Sequence, residues 1–284
     1  MKLSFSSNAF TKYSVLEAIE KIAAIGYDGV EILADQPHLF AASIDHDDLA
    51  RLSQSIKLQG IAIANINANT AAGYYGQSFW EPLFEPSLAN PDPEARQWRI
   101  KYTINSIDIA QALGAETISI TSGRPIPGTI PDQSLTLLED SLNEIIDYAE
   151  KKAVKIGIEY EPGLLISNSV DLAAFLDIID SPWLGANLDI GHCVVAGETI
   201  TESIHRLSNR IFHIHLEDIK GREHYHLIPG TGDIDFESVL ESLDKQGYSG
   251  YASVELYTFP DNPEQAALQS FQYLNKLPYW HTQE

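Results

Sequence analysis

The chain has 284 residues, 44% of them hydrophobic, and 18 Lys and Arg against 40 Asp and Glu give a formal net charge of −22. That length and apolar content suit one large core of about the size a (β/α) barrel uses, and no second domain is needed. The negative field repels phosphate backbones and so disfavours nucleic acid. The single cysteine, Cys193, excludes an intrachain disulfide and reads as a small buried side chain in a protein of a reducing compartment. With no apolar targeting core at the start and no run of about 18 apolar residues, a soluble cytoplasmic protein with no membrane partner is expected.

From the N-terminus, a strand is predicted at 2–5, then a helix over 14–25 with a stripe of Leu16, Ile19 and Ala23 and a stop at Gly26. Strands follow at 29–33 and 61–66. The segment 67–91 is too long for a simple turn and carries Gly73, Tyr74, Tyr75, Gly76, Phe79, Trp80, Phe84 and three prolines. It reads as an aromatic lid or substrate wall, with Gly73 and Gly76 as hinges or plain turn residues, or else as a docked surface loop or an oligomer contact. Ile100, Ile104 and Ile107 mark a helix ending at Leu113-Gly114, ahead of a strand at 116–121. Leu135, Leu138, Leu142, Ile145 and Ala149 keep a helical period before a strand at 155–160. Strands at 185–189 and 211–216, a helix through Phe236, Val239, Leu240 and Leu243, a strand at 251–255 and a helix over 263–274 complete the chain. Eight strand and helix units require parallel pairing through right-handed crossovers and close on themselves. The expected fold is α/β, a single-domain (β/α)8 TIM barrel spanning 1–284. A faint echo relates Gly26-Tyr-Asp-Gly-Val-Glu31 to Gly247-Tyr-Ser-Gly-Tyr-Ala-Ser-Val-Glu255.

Chemistry-bearing residues gather where the later strands end: Glu159, Asp189, His215 and Glu255. A barrel brings those ends to one face. Two Glu, one Asp and one His make a four-ligand site with room for two substrate oxygens, suited to one divalent ion, Mn²⁺, Mg²⁺, Co²⁺ or Zn²⁺. Alternation along a strand puts His213 on the face of His215, as support for it. His192 lies three residues after Asp189, in reach of a substrate oxygen or of a ligand it would support. Glu161 reads as a second acid/base or substrate contact, or as a solvated carboxylate. Arg222 and Arg124 read as grips for an anionic group, or as surface ion-pair residues.

The segments Gly26-Tyr-Asp-Gly-Val-Glu-Ile32, Leu113-Gly-Ala-Glu-Thr-Ile-Ser119, Glu159-Tyr-Glu-Pro-Gly163, Asp189-Ile-Gly-His192, His213-Ile-His-Leu-Glu-Asp218, Pro229-Gly-Thr-Gly-Asp-Ile-Asp235 and Gly247-Tyr-Ser-Gly250 together resemble the xylose-isomerase-like barrel superfamily of sugar phosphate isomerases and epimerases. The likeness spans nearly the whole chain. It implies metal ligation by Glu159, Asp189, His215 and Glu255, and proton transfer by Glu159 and Glu255 in a metal-stabilised enediolate mechanism on a sugar or sugar phosphate. In the superfamily's endonucleases an Asp-X-His segment helps hold additional metals, whereas this chain has His224-Tyr-His226, which leaves substrate contact or a second weak metal open. Three alternatives accompany the isomerase or epimerase reading: a dehydratase of a hydroxy-ketone, similar to 3-dehydroshikimate dehydratase; an apurinic-site endonuclease, which the charge opposes; and a non-catalytic binder. The identity of the substrate and the oligomeric state, a homo-oligomer included, stay open at this level.

Overall fold

Eight apolar runs become eight strands: β1 (Lys2–Ser6), β2 (Gly29–Leu33), β3 (Ala62–Asn67), β4 (Thr117–Thr121), β5 (Lys155–Glu159), β6 (Leu184–Asp189), β7 (Ile211–Leu216) and β8 (Tyr251–Val254). The computed structural model describes residues 1–76 and 82–280. All neighbouring strands are parallel, in the order β1 to β8, and β1 pairs back onto β8 to close a barrel. Every residue of β2, β4 and β6 is buried, as expected of parallel strands covered on both faces. The predicted strands lie within one residue of these bounds at either end.

Between the strands run α1 (Val15–Ile25), α2 (His46–Gln59), α3 (Pro93–Leu113), α4 (Pro131–Lys152), α5 (Ser169–Ile179), α6 (Ile190–Ala196), α7 (Ile200–Leu207), α8 (Phe236–Lys245) and α9 (Pro263–Leu274). In α1 a reciprocal cap between Ser14 and Glu17 fixes the first turn, and Gly26 at φ 110° ends the helix where a side chain would be strained. The buried face of α1 is Ala18, Ile19 and Ile22. Leu16, predicted for that stripe, is exposed, and Ala23 is only partly buried. Among the described residues no helix is long and apolar enough to cross a membrane.

Two register shifts adjust the barrel near the face that carries the candidate site. Between β2 and β3, Val30 pairs with Ile63 but Glu31 with Asn65; between β6 and β7, Ala186 pairs with Ile211 but Asn187 with His213. Such bulges re-aim side chains. Here they set Asn65 against Glu31 and His213 against Asn187.

Candidate active site

Glu159 ends β5, Asp189 ends β6, His215 is the fifth residue of β7, and Glu255 follows β8 directly. One ligand atom from each lies within 4.8 Å of those of the other three, and all four residues are buried. The ring of His215 is fixed by its outer nitrogen: Nε2–H donates to Glu31 Oε2 at 2.8 Å, since a carboxylate only accepts. Its Nδ1 then faces Glu159 Oε2 at 3.3 Å, Glu255 Oε2 at 3.5 Å and Asp189 Oδ2 at 3.9 Å. Burial opposes charge on this imidazole, but Glu255, Glu31 and Glu159 outweigh it and raise His215 well above the usual histidine value. The cluster therefore demands positive charge at its centre. Asp189 Oδ2, buried and without a hydrogen-bond partner, opens onto the same point. Three carboxylate oxygens and one imidazole nitrogen are a hard, mixed donor set that fits a divalent ion such as Mn²⁺, Mg²⁺, Co²⁺ or Zn²⁺.

Around this centre lies a second layer, of which the sequence singled out only His213. Glu31 accepts from His215, from Asn65 Nδ2 at 2.9 Å and from Asn67 Nδ2 at 3.1 Å, and its Oε2 is 3.1 Å from His213 Nε2. Burial raises a carboxyl, yet His215 and His213 overcome it and hold Glu31 well below the usual range. Four asparagine amides grip the two glutamates. Asn8 and Asn67 donate to Glu255 Oε1 at 2.9 and 3.1 Å, while Asn69 and Asn187 donate to Glu159 Oε2 at 2.6 and 2.7 Å. For Glu31 the sequence signals were the echo that sets it opposite Glu255 and its place in the segment Gly26 to Ile32; the asparagines had none.

Glu159 and Glu255 of the cluster line a pocket of about 260 Å³ whose walls include Asn8, Leu33, Asn69, Phe84, His192 and Tyr257. Glu161, His224 and His226 also line it. His192 Nδ1–H donates to the Tyr160 carbonyl at 3.0 Å, and its Nε2 lies within hydrogen-bond distance of His224 Nε2 at 3.1 Å. Burial works against charge on His192, but Asp189, Glu161 and Glu159 raise it above the ordinary value. His226 donates from Nδ1 to the Glu255 carbonyl at 2.8 Å, which leaves Nε2 a bare acceptor, and burial pulls this ring down to about 4. Glu161 lies past the end of β5, and burial raises it to about 7. Arg222 is not brought to the pocket: Nη2 donates to the Val195 carbonyl at 2.9 Å and the head group lies against Gly197. Arg124 stacks over Phe84 at 5.5 Å and does not line the pocket. Cys193 is buried, its Sγ 2.8 Å from the Tyr160 hydroxyl, and takes no part in the cluster.

The segment after β3 is pinned at its base. Asp35 accepts from Thr70 Oγ1, Ala72 N and Gly73 N at 2.7, 2.7 and 2.9 Å, and buried Arg99 donates to the carbonyls of Ala68, Asn69 and Thr70. Gly73 packs with its Cα under the Phe40 ring, where a Cβ would collide, so it serves close packing rather than a hinge. Tyr74 leans on Trp98, away from the pocket residues. Pro82, Leu83 and Phe84 do line the pocket, whereas Phe79 and Trp80 lie outside the described residues.

Comparison with known proteins supplies the family. The chain is similar to fructoselysine 3-epimerase of Shigella flexneri, 24% identical over 282 residues that cover 98% of each chain. It is also similar to inosose dehydratase of Geobacillus thermodenitrificans, 26% identical over 291 residues, with 92% of this chain and 88% of that one covered. Among solved structures, a D-tagatose 3-epimerase-like protein superposes with a TM-score of 0.82 at 26% identity, over 97% of this chain and 96% of that one. With residues 19–277 matching the family model for it, a span that holds every residue of the four-ligand cluster, the chain belongs to the xylose isomerase-like TIM barrel family.

Proposed function

We propose that the protein is a divalent-metal-dependent isomerase or epimerase of a small ketose, with Glu159, Asp189, His215 and Glu255 holding the ion and Glu159 and Glu255 moving the proton. The observation that carries this reading is the convergence of two glutamates, one ending β5 and one directly after β8, each held by two amides, beside a histidine whose Nδ1 faces both. When bound, the ion would draw electron density from the carbonyl and neighbouring hydroxyl oxygens of the ketose and so acidify the C–H between them. One glutamate takes that proton and leaves an enediolate. Return of a proton by the opposite glutamate to the other face gives the epimer, and return to the adjacent carbon gives the isomer. Glu31 keeps His215 in the required tautomer, and the buried walls exclude water from the intermediate.

In deuterated water the right ketose should gain deuterium next to its carbonyl, and Glu255→Gln should suppress this exchange far more than it weakens ketose binding. Product formed without solvent label would sink the proton-transfer mechanism. A second reading, dehydration of a cyclic hydroxy-ketone, draws support from the similarity to inosose dehydratase and from His192 and His224, which are hydrogen-bonded to each other at the pocket wall and suit the protonation of a departing hydroxyl. Loss of water with a new conjugated absorbance, in place of an epimer, identifies that reaction.

A further inference from the structure

Three of the four amides have an unpaired carbonyl oxygen, and two of these three line the pocket. Asn8, in the 3-10 turn Ser7–Phe10 after β1, and Asn69, two residues beyond β3, both line the pocket and are 8% and 6% exposed. The carboxylates settle how the amides are turned, because a carboxylate oxygen only accepts: the NH₂ of Asn8 faces Glu255 Oε1 and that of Asn69 faces Glu159 Oε2. Each carbonyl oxygen is thereby directed away from its carboxylate, and neither Asn8 Oδ1 nor Asn69 Oδ1 meets a donor in the protein. A buried acceptor left unpaired is costly unless a ligand satisfies it. The other two amides behave differently. Asn67 Oδ1 accepts the Asn69 N–H at 3.2 Å, and Asn187 Oδ1, though it too meets no donor, does not lie on the pocket wall. Holding the glutamates therefore does not require Asn8 and Asn69 alone. What sets these two apart is a bare acceptor at the pocket wall beside each proton-transfer carboxylate. The other polar groups on that wall include Thr11, Gln36 and Thr70, and no Lys or Arg lines it among the described residues.

We infer that Asn8 and Asn69 are a matched pair of substrate-positioning residues, each holding one glutamate through its NH₂ and accepting a substrate hydroxyl through its Oδ1. The substrate is then a polyhydroxylated ketone read by hydroxyls on both flanks of the reacting carbon. This rests on the ketose reading above. The two halves of each amide are mechanically one plane, so a hydroxyl that fixes the carbonyl side also fixes the NH₂ on the carboxylate. The proper sugar thus aligns its own bases, one from each side.

The test is calorimetric binding of D-tagatose and D-fructose, and of their 1-, 3- and 4-deoxy forms, to the metal-loaded wild type, Asn8→Ala and Asn69→Ala, with metal content and melting temperature followed alongside. Each variant should bind the parent ketose roughly tenfold more weakly. For one deoxyketose per variant, a different one for each, that penalty should vanish, because the partner hydroxyl is already gone. Equal penalties across all ketoses, or none, overturn the assignment; a merely structural role predicts the former. Should an alanine variant fail to fold, the serine variant, too short to span both partners, is measured in its place and read the same way. Ketose binding with the expected pattern but no solvent exchange would remove the proposed reaction and leave this assignment standing. No binding of any ketose by the wild type removes both.

Discussion

At His38 the ring sits between fixed partners: Nε2–H donates to the Phe10 carbonyl at 3.2 Å, and the Ser7 hydroxyl, which accepts the Leu33 N–H, donates to Nδ1 at 3.0 Å. Both bonds suit the neutral ring, and burial pulls His38 from 6.5 to about 4. The unfolded chain therefore binds the extra proton first, so stability is complete above pH 6.5 and falls as the pH drops toward 4, by about 3 kcal/mol at the lower end. Urea unfolding between pH 7 and 4.5 should show a slope in the wild type that His38→Asn reduces; an equal slope in both would assign the loss to other groups. Residues differ in how openly the sequence displays them. Glu159, Asp189, His215 and Glu255 stand out because each falls at or near the end of an apolar run. Glu31 is the third residue of a five-residue strand, and Asn8, Asn69 and Asn187 meet their carboxylates across 247, 90 and 28 positions of chain. Amides in turns and strands are ordinary in sequence, and only closure of the barrel gives these ones partners. Arg222 misled for the opposite reason: a cation close in sequence to the site is drawn off by a free carbonyl.

The loop after β7 shows an element organised by one side chain. Asp218 accepts from Ile219 N and Ile234 N at 3.0 Å on Oδ1, and from Gly230 N and Gly232 N at 2.9 and 2.8 Å on Oδ2. Gly232 is needed because a Cβ there would meet Asp218 itself. The motif Pro229-Gly-Thr-Gly thus folds around a buried carboxylate, and His224 and His226 ride on the result. Asp218→Asn keeps the shape but turns an NH₂ toward N–H donors, and loss of two charge-assisted bonds should cost about 3 kcal/mol. Hydrogen exchange at Gly230, Gly232 and Ile234 should quicken together; protection unchanged at all three would show that the loop is held by something else. Elements that the sequence hid have physical reasons too. In α2 the only apolar residues deeply buried are Leu52 and Ile56, too few for a stripe. Helix α6 begins where β6 stops, with Asp189 both ending the strand and accepting the His192 N–H as cap, so no turn residues announce it. The eight strands were plain because burial on both faces makes each a short apolar run.

Across the whole molecule, a chain of net charge −22 places five buried carboxyl groups, Glu31, Glu159, Asp189, Glu217 and Glu255, around one barrel mouth. A bound cation offsets that repulsion, so adding metal to 100 times its dissociation constant should stabilise the fold by about 2.7 kcal/mol. His215→Ala should lower metal content and abolish the gain, as read by elemental analysis and by unfolding across a metal titration; a folded variant with unchanged metal content would overturn the ligand assignment. The pairing of β1 with β8 carries a further consequence. Lys2 registers with Tyr251, Phe5 with Val254, and Glu255 N–H closes onto the Leu216 carbonyl at 3.0 Å. During synthesis β1 emerges first with one edge unpaired, and it waits through seven strands for its second neighbour. The residue that follows this last strand is also the fourth member of the cluster. A partly made chain can present Glu159, Asp189 and His215 yet lacks both the seam and Glu255. On the proposed reading, tight capture of the ion is deferred until translation has passed the seam, and an incomplete chain is denied its cofactor.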